Sequence, residues 1–229
     1  ARWITHPRNP LTPRVAVNHI WLRHFQSPLV ESVYDFGRNG KTPTHPALLD
    51  WLAVELVANQ WSMKHLHRLM VTSHAYQLGD GTAVQIANRD KDRDNRWLWR
   101  RNQGRMEAEV LRDSIMASSE ALDLTLSGPP VFPFIPERIL ASQKNGVWDN
   151  QPDGPGVWRR SAYVYRRRAL SYPFFETFDL PDQNQTAGAR NVSSVATQAL
   201  TLLNNESVLR QAELFAERLA ALAPGDLAR

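Results

Sequence analysis

The sequence predicts a mainly α, bundle-like domain with one short β-strand element and one long irregular loop rich in aromatic residues, Pro and Gly. Three observations predict it. Apolar residues recur every three to four positions through much of residues 1–122 and again from Thr197 onward, the period of a helix with one buried face. Residues 123–157 interleave six Pro and four Gly with Phe132, Phe134 and Trp148, a pattern that no regular element accommodates. Tyr163-Val164-Tyr165 is the one clearly β-prone run. With 42% hydrophobic residues, eight Trp and eight Phe, the chain holds enough bulky apolar material to fill a core. A single domain over residues 1–229 is expected: a helical half at 1–122, the loop plus strand at 123–168, and a C-terminal helical segment at 169–229.

Pro7, Pro10 and Pro13 predict an extended lead-in. Thr12-Pro13 then reads as an N-cap followed by proline at the first helical position, opening a helix whose buried stripe is Val17, Ile20, Trp21 and Phe25. Gln26-Ser27-Pro28 ends it. After a loop containing Gly37, Gly40 and Pro43, Thr44-His45-Pro46 signals a second start, with His45 as the cap and Leu49, Leu52 and Leu56 facing inward. Ser62 caps a third helix carrying Leu66, Leu69 and Met70, and the short link through Asn59-Gln60-Trp61 predicts an antiparallel hairpin. Residues 79–96 read as a charged surface connection. A fourth helix is expected from Met106 to Ala121, with Glu107 and Glu109 favoured by the dipole of its first turn and Leu111, Ile115, Ser118 and Leu122 buried.

The 123–157 loop is predicted to be ordered by its aromatics and to lie on the helices as a lid. Arg159, Arg160, Arg166, Arg167 and Arg168 flank the predicted strand, and Pro173 to Phe178 forms a single helical turn. From Thr197 to Asn204 and then through Val208, Ala212, Phe215, Leu219 and Leu222, the spacing is that of a heptad seam against an antiparallel neighbour.

Composition removes several functions. There is no cysteine, which excludes disulfides, thiolate nucleophiles, zinc–thiolate sites and covalent haem attachment in this segment. No run approaches the roughly 18 apolar residues of a membrane span. A net charge of +4 spread over 229 residues does not make nucleic acid an expected partner. Ala1-Arg2-Trp3 carries no initiator Met or targeting signal, and Ala223–Arg229 stops just after a helix, so the chain is expected to be a piece of a longer polypeptide.

A set of strings, in order, resembles one known family. Asn9-Pro10-Leu11-Thr12-Pro13-Arg14-Val15-Ala16-Val17-Asn18-His19-Ile20-Trp21 comes first, then His24-Phe25, Asp35-Phe36-Gly37 and His45-Pro46-Ala47-Leu48-Leu49-Asp50-Trp51-Leu52. Lys64-His65-Leu66-His67-Arg68-Leu69 with Thr72-Ser73, and Asp94-Asn95-Arg96-Trp97-Leu98-Trp99-Arg100, continue it. Arg159-Arg160-Ser161, Thr177-Phe178-Asp179 and Arg190-Asn191-Val192 through Thr197-Gln198-Ala199-Leu200-Thr201-Leu202-Leu203-Asn204-Asn205 close it. The chain is similar along its length to the planctomycete PSD-type domain of unknown function, the C-terminal part of large secreted proteins that often carry a cytochrome c-like domain. Gln26 stands where Gly commonly follows the Phe, and His19 where Arg is usual. The resemblance implies an extracytoplasmic setting, periplasmic or secreted, with neighbouring domains of the same polypeptide as partners. Haem is expected in such a neighbour and no cofactor in this segment. It implies no catalytic residue.

Candidate chemistry is therefore weighed from the residues. Arg159, Arg160, Arg166, Arg168 and Arg190 with Tyr163 and Tyr165 form a basic-aromatic set suited to an anion or glycan, because guanidinium forks bind sulfate or carboxylate and aromatics stack on sugar faces; an anionic polysaccharide is the implied partner. The competing reading pairs these Arg internally with Glu176, Asp179 and Asp182. A hydrolase would need two converging carboxylates, from Glu107, Glu109, Asp113, Asp149, Asp153, Glu176 or Asp179, in a cleft between the 123–157 loop and the helices. No pair stands out. Of the seven His, His19 and His24 do not share a helical face, and His67 and His74 lack a carboxylate at ligand spacing, so no metal site is expected. Asp90, Asp92 and Asp94 imitate the start of a calcium loop, but Asn95 and Arg101 stand where Gly and Glu are required. The expected role is an accessory, non-catalytic interaction module; the rivals are a polysaccharide hydrolase and a docking domain for a fused cytochrome.

Overall fold

The computed structural model describes residues 2–6, 8–79, 83–141 and 148–223, so part of the 123–157 loop and the tail beyond Ala223 lie outside the described residues. The protein is mainly helical and divides into two compact units, Ala1–Gly104 and Arg105–Arg229. Among the described residues no helix is long and apolar enough to cross a membrane.

The first unit contains α1 (Leu11–Phe25), α2 (Pro46–Ala58), α3 (Met63–Val71), α4 (His74–Gln77) and α5 (Ala83–Lys91). α1 begins one residue before the expected cap: Asn9 Oδ1 accepts the Leu11 N–H at 3.0 Å, and Thr12 lies inside the helix. Pro13 is tolerated there because the first-turn N–H groups have no intrahelical acceptor. His45 occupies the N-cap position of α2, but its side chain makes no capping bond. Ser62 does cap α3, accepting the His65 N–H, and Ser73 caps α4 by accepting that of Tyr76. The connection expected over residues 79–96 contains a helix instead, α5, whose weak apolar content hides it from a periodicity reading. α1, α2 and α3 pack on one another around Val17, Trp21, Phe25, Leu49, Leu52, Leu56, Leu66 and Met70, and Trp21 stacks on Phe25 with ring centroids 3.8 Å apart. Fully buried Asn18 pairs with the Val30 backbone, donating to its carbonyl at 3.0 Å and accepting its N–H at 2.9 Å. This pins the loop after α1 to the helix without any strand.

The second unit contains α6 (Ala108–Ser118), α7 (Glu137–Leu140), a 3-10 turn at Ser161–Tyr163, α8 (Pro173–Thr177), α9 (Ala196–Asn204) and α10 (Glu206–Leu222). The strand expected at Tyr163–Tyr165 is not formed. The segment turns through 3-10 geometry and leaves one isolated bridge, Val131 to Val164. Buried Ser161 sets this course, since its N–H and hydroxyl both donate to Asp113 Oδ1, at 2.8 and 2.6 Å. The fully buried line of α6 is Ala108, Arg112 and Met116; of the expected stripe, Leu111 and Ile115 are half-buried against the same core, and Ser118 is exposed. Around α6 pack Val131, Ile135, Trp148, Val157, Val164, Leu170, Tyr172, Phe174 and Phe175, so the 123–157 segment contributes four residues to the core, while its Leu124, Leu126 and Phe134 are exposed. On α10 the buried residue is Gln211; the expected seam is largely outside, with Phe215 and Leu219 exposed and Leu222 69% exposed.

Candidate functional site

The basic-aromatic set of the second unit resolves into three separate arrangements. Arg159 is buried: it donates to the carbonyls of Pro129 at 2.8 Å, Thr125 at 3.2 Å and Ser127, and its guanidinium lies 3.9 Å from the Tyr163 ring centroid. Tyr163 Oη accepts the Ser127 N–H at 2.6 Å, and that bond, with Arg159 and Arg160 nearby, lowers the Tyr163 pKa from its ordinary value. Arg160 sits at the edge of the same ring, its buried Nε without a partner among the described residues. Arg166 and Arg190 meet on Glu109: Arg190 grips it with two bonds, at 2.6 and 3.1 Å, and also reaches Glu107 at 3.2 Å. Burial pushes the Glu109 carboxyl up, but the bonds from Arg190 and Arg166 outweigh it and leave the pKa below its ordinary value. Tyr165 packs on Phe132 instead, centroids 4.8 Å apart, and Arg168 is exposed.

The acids that hold these arginines differ from the expected ones. Asp179 accepts both the N–H and the hydroxyl of Ser193, at 2.7 and 2.8 Å, and Asp182 accepts the N–H of Asn184 at 2.9 Å; Glu109, Glu107 and Asp123 serve the arginines instead. Of the candidate acids, Glu107 and Glu109 face Arg190, and Asp113 carries Ser161. A cavity of about 20 Å³ in this unit, room for one water, lies among Arg112, Tyr172 and Gln211 and is lined by no residue of the 123–157 loop.

The first unit holds a larger cleft, of about 290 Å³. Leu11, Val30, Phe36, Leu49, Pro43 and Pro46 supply apolar walls, and Arg14, Lys41 and Asp50 supply the charges. It lies at the starts of α1 and α2, which contribute Leu11 with Arg14 and Pro46 with Asp50. Arg14 Nε donates to Asp50 Oδ1 at 2.6 Å, and among the described residues the Nη groups of Arg14 and the ammonium of Lys41 have no hydrogen-bond or ion-pair partner. The loop that presents Lys41 is tightly closed. Its N–H donates to Ser32 Oγ at 2.8 Å, Gly37 N–H to Asp35 Oδ1 at 2.8 Å and Gly40 N–H to Gly37 O at 3.1 Å. A Cβ on Gly40 would stand 2.3 Å from the Asp35 carbonyl oxygen, so only glycine closes this turn. Residue-by-residue reading missed this cleft, because Arg14 and Asp50 are 36 positions apart. Its one signal was that Leu11, Arg14, Phe36, Gly37, Pro46, Leu49 and Asp50 all fall in the strings carrying the family resemblance.

Across α1 and α3, His24 Nε2 and His67 Nδ1 are 2.7 Å apart, a pairing over 43 residues that spacing did not reveal. Burial, then His67 and Arg101, lower the His24 pKa. Among the described residues no three His, Asp or Glu side chains gather as a metal-holding group. The calcium-like run is structural: Asp92 accepts the N–H groups of Arg96 and Trp97, at 2.9 and 2.7 Å.

The family described as PSD1, a protein of unknown function (DUF1553), matches residues 1–227. No curated protein and no solved structure matches the chain.

Proposed function

The chain belongs to the PSD1 family of proteins of unknown function (DUF1553), and from that premise we propose that it is a non-catalytic accessory module that holds one sugar residue of a glycan in the cleft of its first unit. One observation carries the reading: an open cleft sets apolar walls beside a single half-exposed carboxylate, Asp50, and two cations. A sugar ring offers an apolar face to such walls and hydroxyls to the carboxylate. At about 290 Å³ the cleft lies at the small end of ligand sites, which run from about 300 to 1,000 Å³, and it suits one ring of a longer chain. Glycosidic hydrolysis takes two carboxylates roughly 5–9.5 Å apart, whereas Asp50 is the acid lining this cleft, so binding without turnover is the better fit.

From the second unit, Arg160 and Arg168 are the members of the basic set with no carboxylate partner among the described residues, and further contact to a glycan would fall to them. The setting we infer is extracytoplasmic, with haem confined to a neighbouring domain of the parent polypeptide; its support is the family resemblance.

Affinity electrophoresis through gels carrying neutral or acidic polysaccharides, with a parallel assay for new reducing ends, tests the reading. Retardation that Asp50→Asn relieves, without new ends, is expected. New reducing ends would favour the hydrolase, and free migration in every gel would remove the glycan reading.

A further inference from the structure

Resting on that reading of the cleft, we propose that the sugar it holds is an acidic one, its carboxylate or sulfate seated between Arg14 and Lys41. The lining carries two cations against one carboxylate, and that carboxylate already faces Arg14 Nε. Because Asp50 takes only the Nε edge, the paired Nη donors of Arg14 remain for an anion, and a guanidinium fork matches the oxygens of a carboxylate or sulfate. Lys41 contributes an ammonium with no partner among the described residues, on a turn that Ser32 and Gly40 hold in one geometry. The turn fixes where the lysine stem leaves the backbone, and the stem carries the ammonium to the ligand.

The surroundings reinforce the sign. Neither α1 nor α2 has an acidic residue in its first turn, so the positive ends of both helix dipoles add to the field of Arg14 and Lys41. Asp35, on the same loop, has one carboxylate oxygen engaged by the Gly37 N–H. A neutral sugar would leave the lining with one positive charge in excess, because Asp50 answers only Arg14; an acidic one balances it while its hydroxyls still reach Asp50.

Four probes decide it by calorimetry on the whole chain: a trimer of 1,4-linked hexuronic acid, its full methyl ester, a sulfated hexose trimer and a neutral hexose trimer. Binding of the uronate or the sulfated trimer at least about tenfold tighter than the ester and the neutral sugar is expected, because a charge-assisted bond is lost in each comparison. Whichever acid binds tighter identifies the anion. Lys41→Ala is expected to weaken the acidic probe about tenfold and leave the neutral one unchanged, with thermal unfolding as the check that the variant folds. Raising salt should weaken only the acidic probes. Affinity of both acidic probes equal to that of the ester and the neutral sugar, or no effect of Lys41→Ala, overturns the acidic assignment while the glycan reading stands. Silence from all four probes overturns both.

Discussion

In the first unit the buried residues are hydrocarbon apart from Asn9, Asn18 and Asn95, whereas in the second Arg112, Arg159, Ser119, Ser161, Gln198 and Gln211 are buried among the aromatics. The difference follows from the backbone each must satisfy. Long helices close their own N–H and C=O groups, so α1, α2 and α3 meet through side chains alone. The second unit folds irregular chain into its interior, and carbonyls there need donors from elsewhere. Arg112 supplies them: its guanidinium donates to Val157 O at 2.7 Å, Arg159 O at 2.9 Å and Ser161 Oγ at 3.2 Å. Burial lowers its pKa, an effect that Tyr172 and Asp113 oppose. Arg159 does the same for residues 125–129. One unit is held by packing, the other by guanidinium groups tying loop to helix.

The largest test of this contrast is Arg112→Leu. It leaves two buried carbonyls unpaired, while Ser161 Oγ keeps its bond to Asp113, and is expected to cost about 2–5 kcal/mol in the second unit, at roughly 1–3 kcal/mol for each orphaned group less what the added leucine recovers. Indole N–H exchange reads each unit separately, through Trp148, which donates to Pro133 O at 2.9 Å, and Trp99, which donates to Asp92 O at 2.8 Å. Trp148 should lose protection while Trp99 keeps it. A loss under about 1 kcal/mol would show that the guanidinium is not what holds the loops.

The converse is Leu66→Ala in the first unit, where the side chain is fully buried. The lost transfer energy plus the cavity is expected to cost about 2–4 kcal/mol, read at Trp99 and not at Trp148. Equal loss at both indoles would break the comparison, because it would mean that the two cores unfold as one.

The same contrast explains what could be read from the sequence. Spacing places Val17, Ile20, Trp21, Phe25, Leu49, Leu52, Leu56, Leu66, Leu69 and Met70 in the core, and all are buried there except Leu69, which is half-buried against it, since apolar side chains at helical period have no other stable destination in water. On α6 the period finds Leu111 and Ile115, which pack half-buried on the core, but not its most buried polar positions, because Arg112 and Ser119 count as polar wherever they stand. The β propensity of Tyr163–Tyr165 gave way to the pull of Asp113 on Ser161, a tertiary contact over 48 residues. The candidate cleft escaped for a related reason. Paired charges such as Arg14 and Asp50 have no period, and only the fold makes them neighbours.

Acid should separate the two units as well. His24 has a lowered pKa in the folded first unit, so as pH falls through about 6.5 the unfolded chain binds the proton first and this unit begins to lose stability. The loss ends once folded His24 also protonates. Glu109 is depressed in the folded second unit, so its contribution is complete above about pH 4.3 and disappears as pH falls through the lower folded value. Exchange at Trp99 should therefore quicken at a higher pH than exchange at Trp148, and His24→Gln should shrink the earlier step, the remainder coming from His19, whose pKa burial and Arg23 also lower. Coincident onsets would mean that neither group governs its unit.

The smallest effect concerns strain at the end of α1, where the first unit keeps its irregularity. Gln26 closes the helix in the left-handed region, φ 61°, with its N–H donating to Leu22 O at 2.9 Å. A side chain in that region costs roughly 1–2 kcal/mol, which glycine avoids at an entropic cost of about 0.5–1 kcal/mol. Gln26→Gly should thus stabilise the first unit by about 0.5 kcal/mol. The position is also coupled to Gly104, where a Cβ would stand 2.3 Å from the Gln26 side-chain amide carbon. Gly104→Ala is accordingly expected to cost about 1 kcal/mol in the natural sequence and nearly nothing beside Gln26→Gly. Denaturant melts of both single variants and the double variant measure the coupling; an unchanged cost of Gly104→Ala would mean that Gln26 swings aside freely and that the left-handed backbone alone sets the preference at this helix end.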